Sequence, residues 1–179
     1  MLEVDVPAGE FYNEDTNLFF ETKAIRLRLE HSLVSISKWE ATWKKPFLSR
    51  EKHSNEELRD YVRCMTLNQH VDPMVYHALT SENLKAIAEY ISDEMTATTI
   101  QDPSQKTSRE VVTSELIYYW MVAYNVPWEA QKWHLSRLMT LIRICSIKNG
   151  PQKKMSKHDI LSRNARLNAQ RRAKYKTRG

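Results

Sequence analysis

The sequence predicts an α+β fold that is mainly α: a small N-terminal antiparallel sheet or hairpin, a bundle of about five helices, and a basic C-terminal helical arm. Three observations carry this. Apolar residues alternate with period two within the first thirty positions and recur at helical spacing afterwards, as one buried face of a strand and then of a helix requires. Only three glycines occur in 179 residues, far below the usual ~7 %, which leaves few tight turns for an all-β chain. Charge is also divided. From Lys148 to Gly179 there are 11 lysines and arginines against one acid, Asp159, a surplus of ten; residues 1–147 hold 16 against 21, a deficit of five, and the two make the +5 of the whole. A mildly acidic body with a cationic tail reads as a binding or assembly protein whose arm seeks an anionic surface.

The elements follow in order. Leu2, Val4 and Val6 alternate with Glu3 and Asp5 up to Pro7, and Ile25, Leu27 and Leu29 alternate with Arg26, Arg28 and Glu30. Between them Phe11-Tyr12 and Leu18-Phe19-Phe20 flank the polar cluster 13–17, suited to a hairpin turn. Two to four strands are expected. From Ser32, a candidate cap, Leu33, Ile36, Trp39 (or Glu40) and Trp43 recur at helical spacing until Pro46. Ser54-Asn55-Glu56-Glu57 is a capping-box pattern, followed by Leu58, Tyr61, Val62 and Met65 on one face. After the loop 68–73, Thr80 or Ser81 caps a third helix with Leu84, Ile87, Ala88 and Ile91 turned inward. The polar stretch 95–108 reads as extended chain leading into an exposed loop. Thr107 or Ser108, with Glu110 or Glu115, opens a helix whose run Leu116–Val122 is apolar nearly all round, the mark of a central core element. Pro127 is placed to begin the next helix, with Leu135, Leu138, Ile142 and Cys145 on one side. Asn149-Gly150-Pro151 stops it, so the body is 1–149 (strands in 1–30, helices in 31–149) and the arm is 150–179. Within the arm, Ser156 to Asp159 caps a helix too thin in apolar residues to bury much by itself.

No run of about 18 apolar residues is present, so no membrane span is expected. The opening MLEVDVPAGE carries acids where a signal peptide needs a positive start and an apolar core, which argues against export by that route. Cys64 and Cys145 lack closely spaced companions and read as buried reduced thiols of a cytosolic protein. The six histidines form no HxH, HExxH or Cys–His spacing. There is no GxSxG, no GxGxxG and no Walker A sequence. No catalytic, metal or cofactor-binding residue is therefore assigned, and the chain reads as a non-enzyme.

Two groups are candidates for partner binding. Trp120, Trp128 and Trp133 with Tyr118, Tyr119 and Tyr124 crowd one stretch of chain; core packing is the first reading and a partner patch the second, since Trp and Tyr dominate interface hot spots. Trp39 and Trp43 read as core. The arm's cations serve either as a solvated face or as a grip on an anionic partner. Its single aromatic, Tyr175, provides poorly for base stacking, so an acidic protein surface fits as well as nucleic acid.

The stretches LEHSLVSISKWEATWKKPFL (29–48), DYVRCMTLNQHVDP (60–73), DEMTATTI (93–100), TSELIYYWM (113–121) and PWEAQKWHLSRLMTLIRICSIKN (127–149), with the junction Pro151-Gln152-Lys153-Lys154-Met155-Ser156, together resemble a family of tail-gene proteins of long-tailed bacteriophages known as tail assembly chaperones. The resemblance runs from about residue 2 to 179. It implies a small helical protein that acts in the host cytoplasm and coats the long helical tape-measure protein before the tail tube forms around it. It supplies no catalytic residues. Expected partners are the tape measure or other tail proteins, with self-association and nucleic acid left open and no membrane. The residues assigned to binding are Arg163, Arg166, Arg171, Arg172 and Lys174 of the arm, and Trp128 and Trp133 of the aromatic stretch. A structural tail or connector component of the virion, and a nucleic-acid-binding protein acting through the arm, are the alternatives.

Overall fold

Period-two alternation at the N-terminus becomes a two-stranded ribbon. The computed structural model of the chain describes residues 1–13, 17–49, 51–98, 110–149 and 157–175. In it β1 (Leu2–Val6) pairs antiparallel with β4 (Ile25–Leu29), and β2 (Gly9–Asn13) with β3 (Leu18–Thr22). Partner numbers add to 31 in both pairs, Leu2 with Leu29 and Gly9 with Thr22 alike, so the pairs are inner and outer halves of one hairpin in one register. Pro7, which has no amide proton for a ladder bond, lies in the break between them.

What changes at the break is the buried face. In the inner half Val4, Val6, Leu27 and Leu29 enter the core, while Arg26 lies outside and donates to both carboxylate oxygens of Asp5 at 2.7 and 3.0 Å. In the outer half the opposite parity turns inward. Phe11 and Phe20 are half-buried and stack at 5.9 Å, whereas Glu10, Tyr12, Phe19 and Glu21 are exposed. The far edge of β4 is covered by the chain after the second helix. The Leu67 amide donates to the Arg28 carbonyl at 2.8 Å, and the Asn68 side chain accepts from the Arg28 amide and donates to the Arg26 carbonyl. These bonds use the edge groups a free strand would leave open.

Helix α1 (Leu33–Trp43) starts at Ser32, whose hydroxyl accepts from the Ser35 amide while Ser35 Oγ accepts from the Ser32 amide. It buries Leu33, Ile36, Trp39 and Glu40, and ends at Lys44 in the left-handed region (φ 55°). Helix α2 (Asn55–Met65) has the expected capping box between Ser54 and Glu57, and buries Tyr61, Val62 and Met65. Leu58, expected on that face, is exposed. Glu57 turns in instead, because its carboxylate receives the Ser54 amide and the Lys45 ammonium, each within 2.8 Å; the Lys45 ammonium and then that amide hold its carboxyl below the usual range.

A 3-10 turn at Pro73–His77 leads to α3 (Ser81–Ser92), capped by Thr80. The inward face differs from Leu84, Ile87, Ala88 and Ile91. Leu84 and Ala88 are exposed, and Ile87 and Tyr90 are buried. Tyr90 sets the rotation: its hydroxyl donates to Glu30 at 2.6 Å and its ring meets His134 edge-on at 4.9 Å. Helix α4 (Ser114–Ala123) starts at Thr113; positions 107 and 108 lie outside the described residues. Nor is it encircled by core. It packs on α1 through Ser114, Ile117 and Met121, and leaves Tyr119 and Val122 exposed. Pro127 opens only a 3-10 turn, Trp128–Lys132, before α5 (Leu135–Asn149). Leu135, Leu138 and Ile142 of α5 are buried, but Cys145 only half so, while Cys64 is buried as expected. Helix α6 (Lys157–Tyr175) completes a chain that is α+β and mainly α. The chain divides into two compact units, Met1–Ile147 and Lys148–Gly179. Among the described residues no helix is long and apolar enough to cross a membrane.

Candidate functional site

Titratable side chains converge at one place in the core. His31 Nδ1 lies 2.5 Å from the Tyr61 hydroxyl, which also meets Ser35 Oγ at 3.4 Å. The His31 ring faces His134 at 5.1 Å, and His134 Nε2 is 3.0 Å from the Tyr90 carbonyl. The backbone fixes this meeting of β4, α2, α3 and α5: the Leu135 amide donates to the His31 carbonyl at 2.8 Å. Burial, with the His134 ring adding to it, lowers the His31 pKa to about 4. Burial likewise raises the Tyr61 phenol. No buried side-chain nitrogen or oxygen of the described residues lacks a partner. The cluster thus ties elements together, and the Tyr61 hydroxyl, buried between His31 and Ser35, is no exposed nucleophile. Among the described residues no group of three His, Cys, Asp or Glu is placed to hold a metal ion.

The surface carries the other features. Around the turn after α4, Trp128 stands half exposed and stacks on Tyr118 at 5.2 Å, and the Tyr118 hydroxyl donates to Gln131 at 3.0 Å. Trp133 is also exposed, with the Arg137 guanidinium 5.3 Å from its ring centre. Ala130 is the residue this turn buries, and Trp128 within the turn and Trp133 just after it are left outward. Tyr119 and Val122 add exposed apolar surface on α4. Trp120 and Tyr124 are partly buried against the core. The crowded aromatic stretch is therefore divided between core and surface.

In the second unit every residue from 161 to 175 is exposed. At 3.6 residues per turn, Arg163, Arg166, Gln170 and Lys174 share one face, a stripe about 16 Å long. Ser162, Arg163, Arg166, Leu167 and Gln170 line an open recess along it. Arg171 and Arg172 fall at other angles, so cations surround the helix. Arg172 and Lys174 in the last turn also complement the negative end of the helix dipole. The seven residues assigned from sequence thus fall into two groups: Trp128 and Trp133 in the first unit, and the five cations in the second.

No protein-family model, curated protein or solved structure matches this chain. Sequence reasoning passed over the His31–Tyr61–His134 cluster, because its members lie up to 103 positions apart (31 to 134) and share no motif. It also passed over Glu10 and Glu21, which the hairpin register sets directly opposite each other.

Proposed function

We propose that this chain is a non-enzymatic tail assembly factor of long-tailed bacteriophages, a chaperone that holds the tape-measure protein in the host cytoplasm while the tail is built. The observation that carries the reading is α6, cationic on all sides and exposed throughout 161–175. A helix with so little apolar surface gains little by burial, whereas its charge attracts an acidic partner over roughly one screening length. The resemblance noted in the sequence names that partner. On the body, Tyr119, Val122, Trp128 and Trp133 offer exposed apolar surface to the apolar stripe of a helical client.

Co-expression with the tape measure, followed by capture of this chain, tests the reading. The tape measure is expected to be retained at low salt and released as salt rises. Retention should fall in the Arg163→Glu/Arg166→Glu/Lys174→Glu variant and, separately, in Trp128→Ala/Trp133→Ala. Absence of the tape measure from the capture, together with recovery of this chain in purified mature particles, would overturn the chaperone reading in favour of a virion component. Tight, salt-sensitive DNA retardation lost in the arm variant would point instead to nucleic acid.

A further inference from the structure

The outer half of the hairpin presents a sheet face without a partner. Glu10 and Glu21 are cross-strand neighbours, and Tyr12 and Phe19 are the next pair on the same face. All four are exposed, Phe19 at 70 %, and the two rings lie 5.1 Å apart. Like charges directly opposite each other weaken a ribbon. The inner half neutralises its carboxylates, with Arg26 2.7 Å from Asp5 and 3.6 Å from Glu3. Among the described residues Glu10 and Glu21 have no such cation.

We propose that this face is the docking site for helix α6 of a second copy of the chain. Charge complementarity selects the occupant: Lys148–Gly179 carries a surplus of ten positive charges and residues 1–147 a deficit of five. Spacing agrees with it. Residues facing across an antiparallel pair have Cβ atoms about 5 Å apart, and helical neighbours at i and i+3 are about 5–6 Å apart. Arg163 and Arg166 therefore meet Glu10 and Glu21 one to one. One turn on, about 6 Å along the helix, Leu167 and Gln170 lie over Tyr12 and Phe19, which are about 7 Å along the ribbon. Guanidinium suits the two carboxylates, whose paired oxygens match its planar fork of donors. Each copy carries both halves of the contact, so the association is either a reciprocal dimer or a head-to-tail series.

The test needs no client, so it stands or falls apart from the chaperone reading. Full-length chain is examined by light scattering and sedimentation velocity at about 0.1 M and about 1 M salt, between which the screening length falls from about 10 to about 3 Å. The wild type is expected to associate at low salt and dissociate at high salt. Glu10→Lys/Glu21→Lys and Arg163→Glu/Arg166→Glu are each expected to associate about tenfold more weakly, two exposed pairs having turned from attraction to repulsion. An equimolar mixture of the two should recover association, because reversed arms meet reversed hairpins. If the lysine pair lowers the melting temperature, Glu10→Gln/Glu21→Gln replaces it, since it relieves the cross-strand repulsion. A wild type that stays monomeric at low salt, association indifferent to salt or to these substitutions, or a mixture no better than its components would each overturn the proposal.

Discussion

Acidifying the protein should destabilise it from the inside, through His31. This ring is buried, with His134 as its neighbour and the Tyr61 hydroxyl as its partner, and its pKa in the fold is about 4. In the unfolded chain the value is about 6.5. The unfolded state therefore binds a proton that the native state refuses, and stability falls as pH drops from about 6.5 towards about 4. With those two values, linkage gives a loss of about 0.8 kcal/mol at pH 6 and about 2 kcal/mol at pH 5, relative to pH 7.5. Native carboxyls held low, such as Glu57 and Glu115, lose their contribution mainly below this window, so they add little to the slope between 7.5 and 5. Urea unfolding followed by tryptophan fluorescence at pH 7.5, 6 and 5 measures the loss. His31→Gln retains a polar partner for Tyr61, and it should be less stable at pH 7.5 yet lose about 2 kcal/mol less on going to pH 5. A variant with the same pH slope as the wild type would show that His31 does not carry the effect. An NMR titration placing the His31 midpoint near 6.5 would refute the premise itself.

Other substitutions probe the remaining joints. Glu40 is buried and its two carboxylate oxygens accept the Phe47 and Ser114 amides, each at 2.8 Å; Glu40→Ala strands one buried and one partly buried donor and should cost about 2–4 kcal/mol in urea unfolding. Leu27 is fully buried, so Leu27→Ala should cost about 2–5 kcal/mol by the same assay. Ser54→Ala removes the capping hydroxyl of α2 and should cost about 1 kcal/mol. Val122→Ser, at an exposed apolar position, should change stability by less than about 0.5 kcal/mol while weakening tape-measure capture; a large fall in melting temperature would show that Val122 supports the fold.

The candidate surfaces were legible to different degrees. Counting charge is enough to find the arm, because its cations need no neighbour to be recognised. The aromatic positions could be named but not sorted, since whether Trp128 faces water depends on Ala130, the residue that its turn buries. Glu10 and Glu21 look like ordinary surface acids until the register brings them face to face. His31, Tyr61 and His134 carry no local sign of their meeting, because nothing within a few residues of any one of them points to the others.

Short-range physics accounts for what the amino-acid order decided alone. The strand alternation of 2–6 and 25–29, the hydroxyl caps at Ser32 and Ser54, and the cationic C-terminal helix all follow from residues within one turn or one pleat of each other. Tertiary packing decided the rest: the change of buried face across Pro7, the rotation of α3 about Tyr90, and the narrow seam by which α4 meets α1. A helix or strand fixes which side chains share a face, but the face that turns inward is set by the partner that covers it, and that partner is distant in sequence.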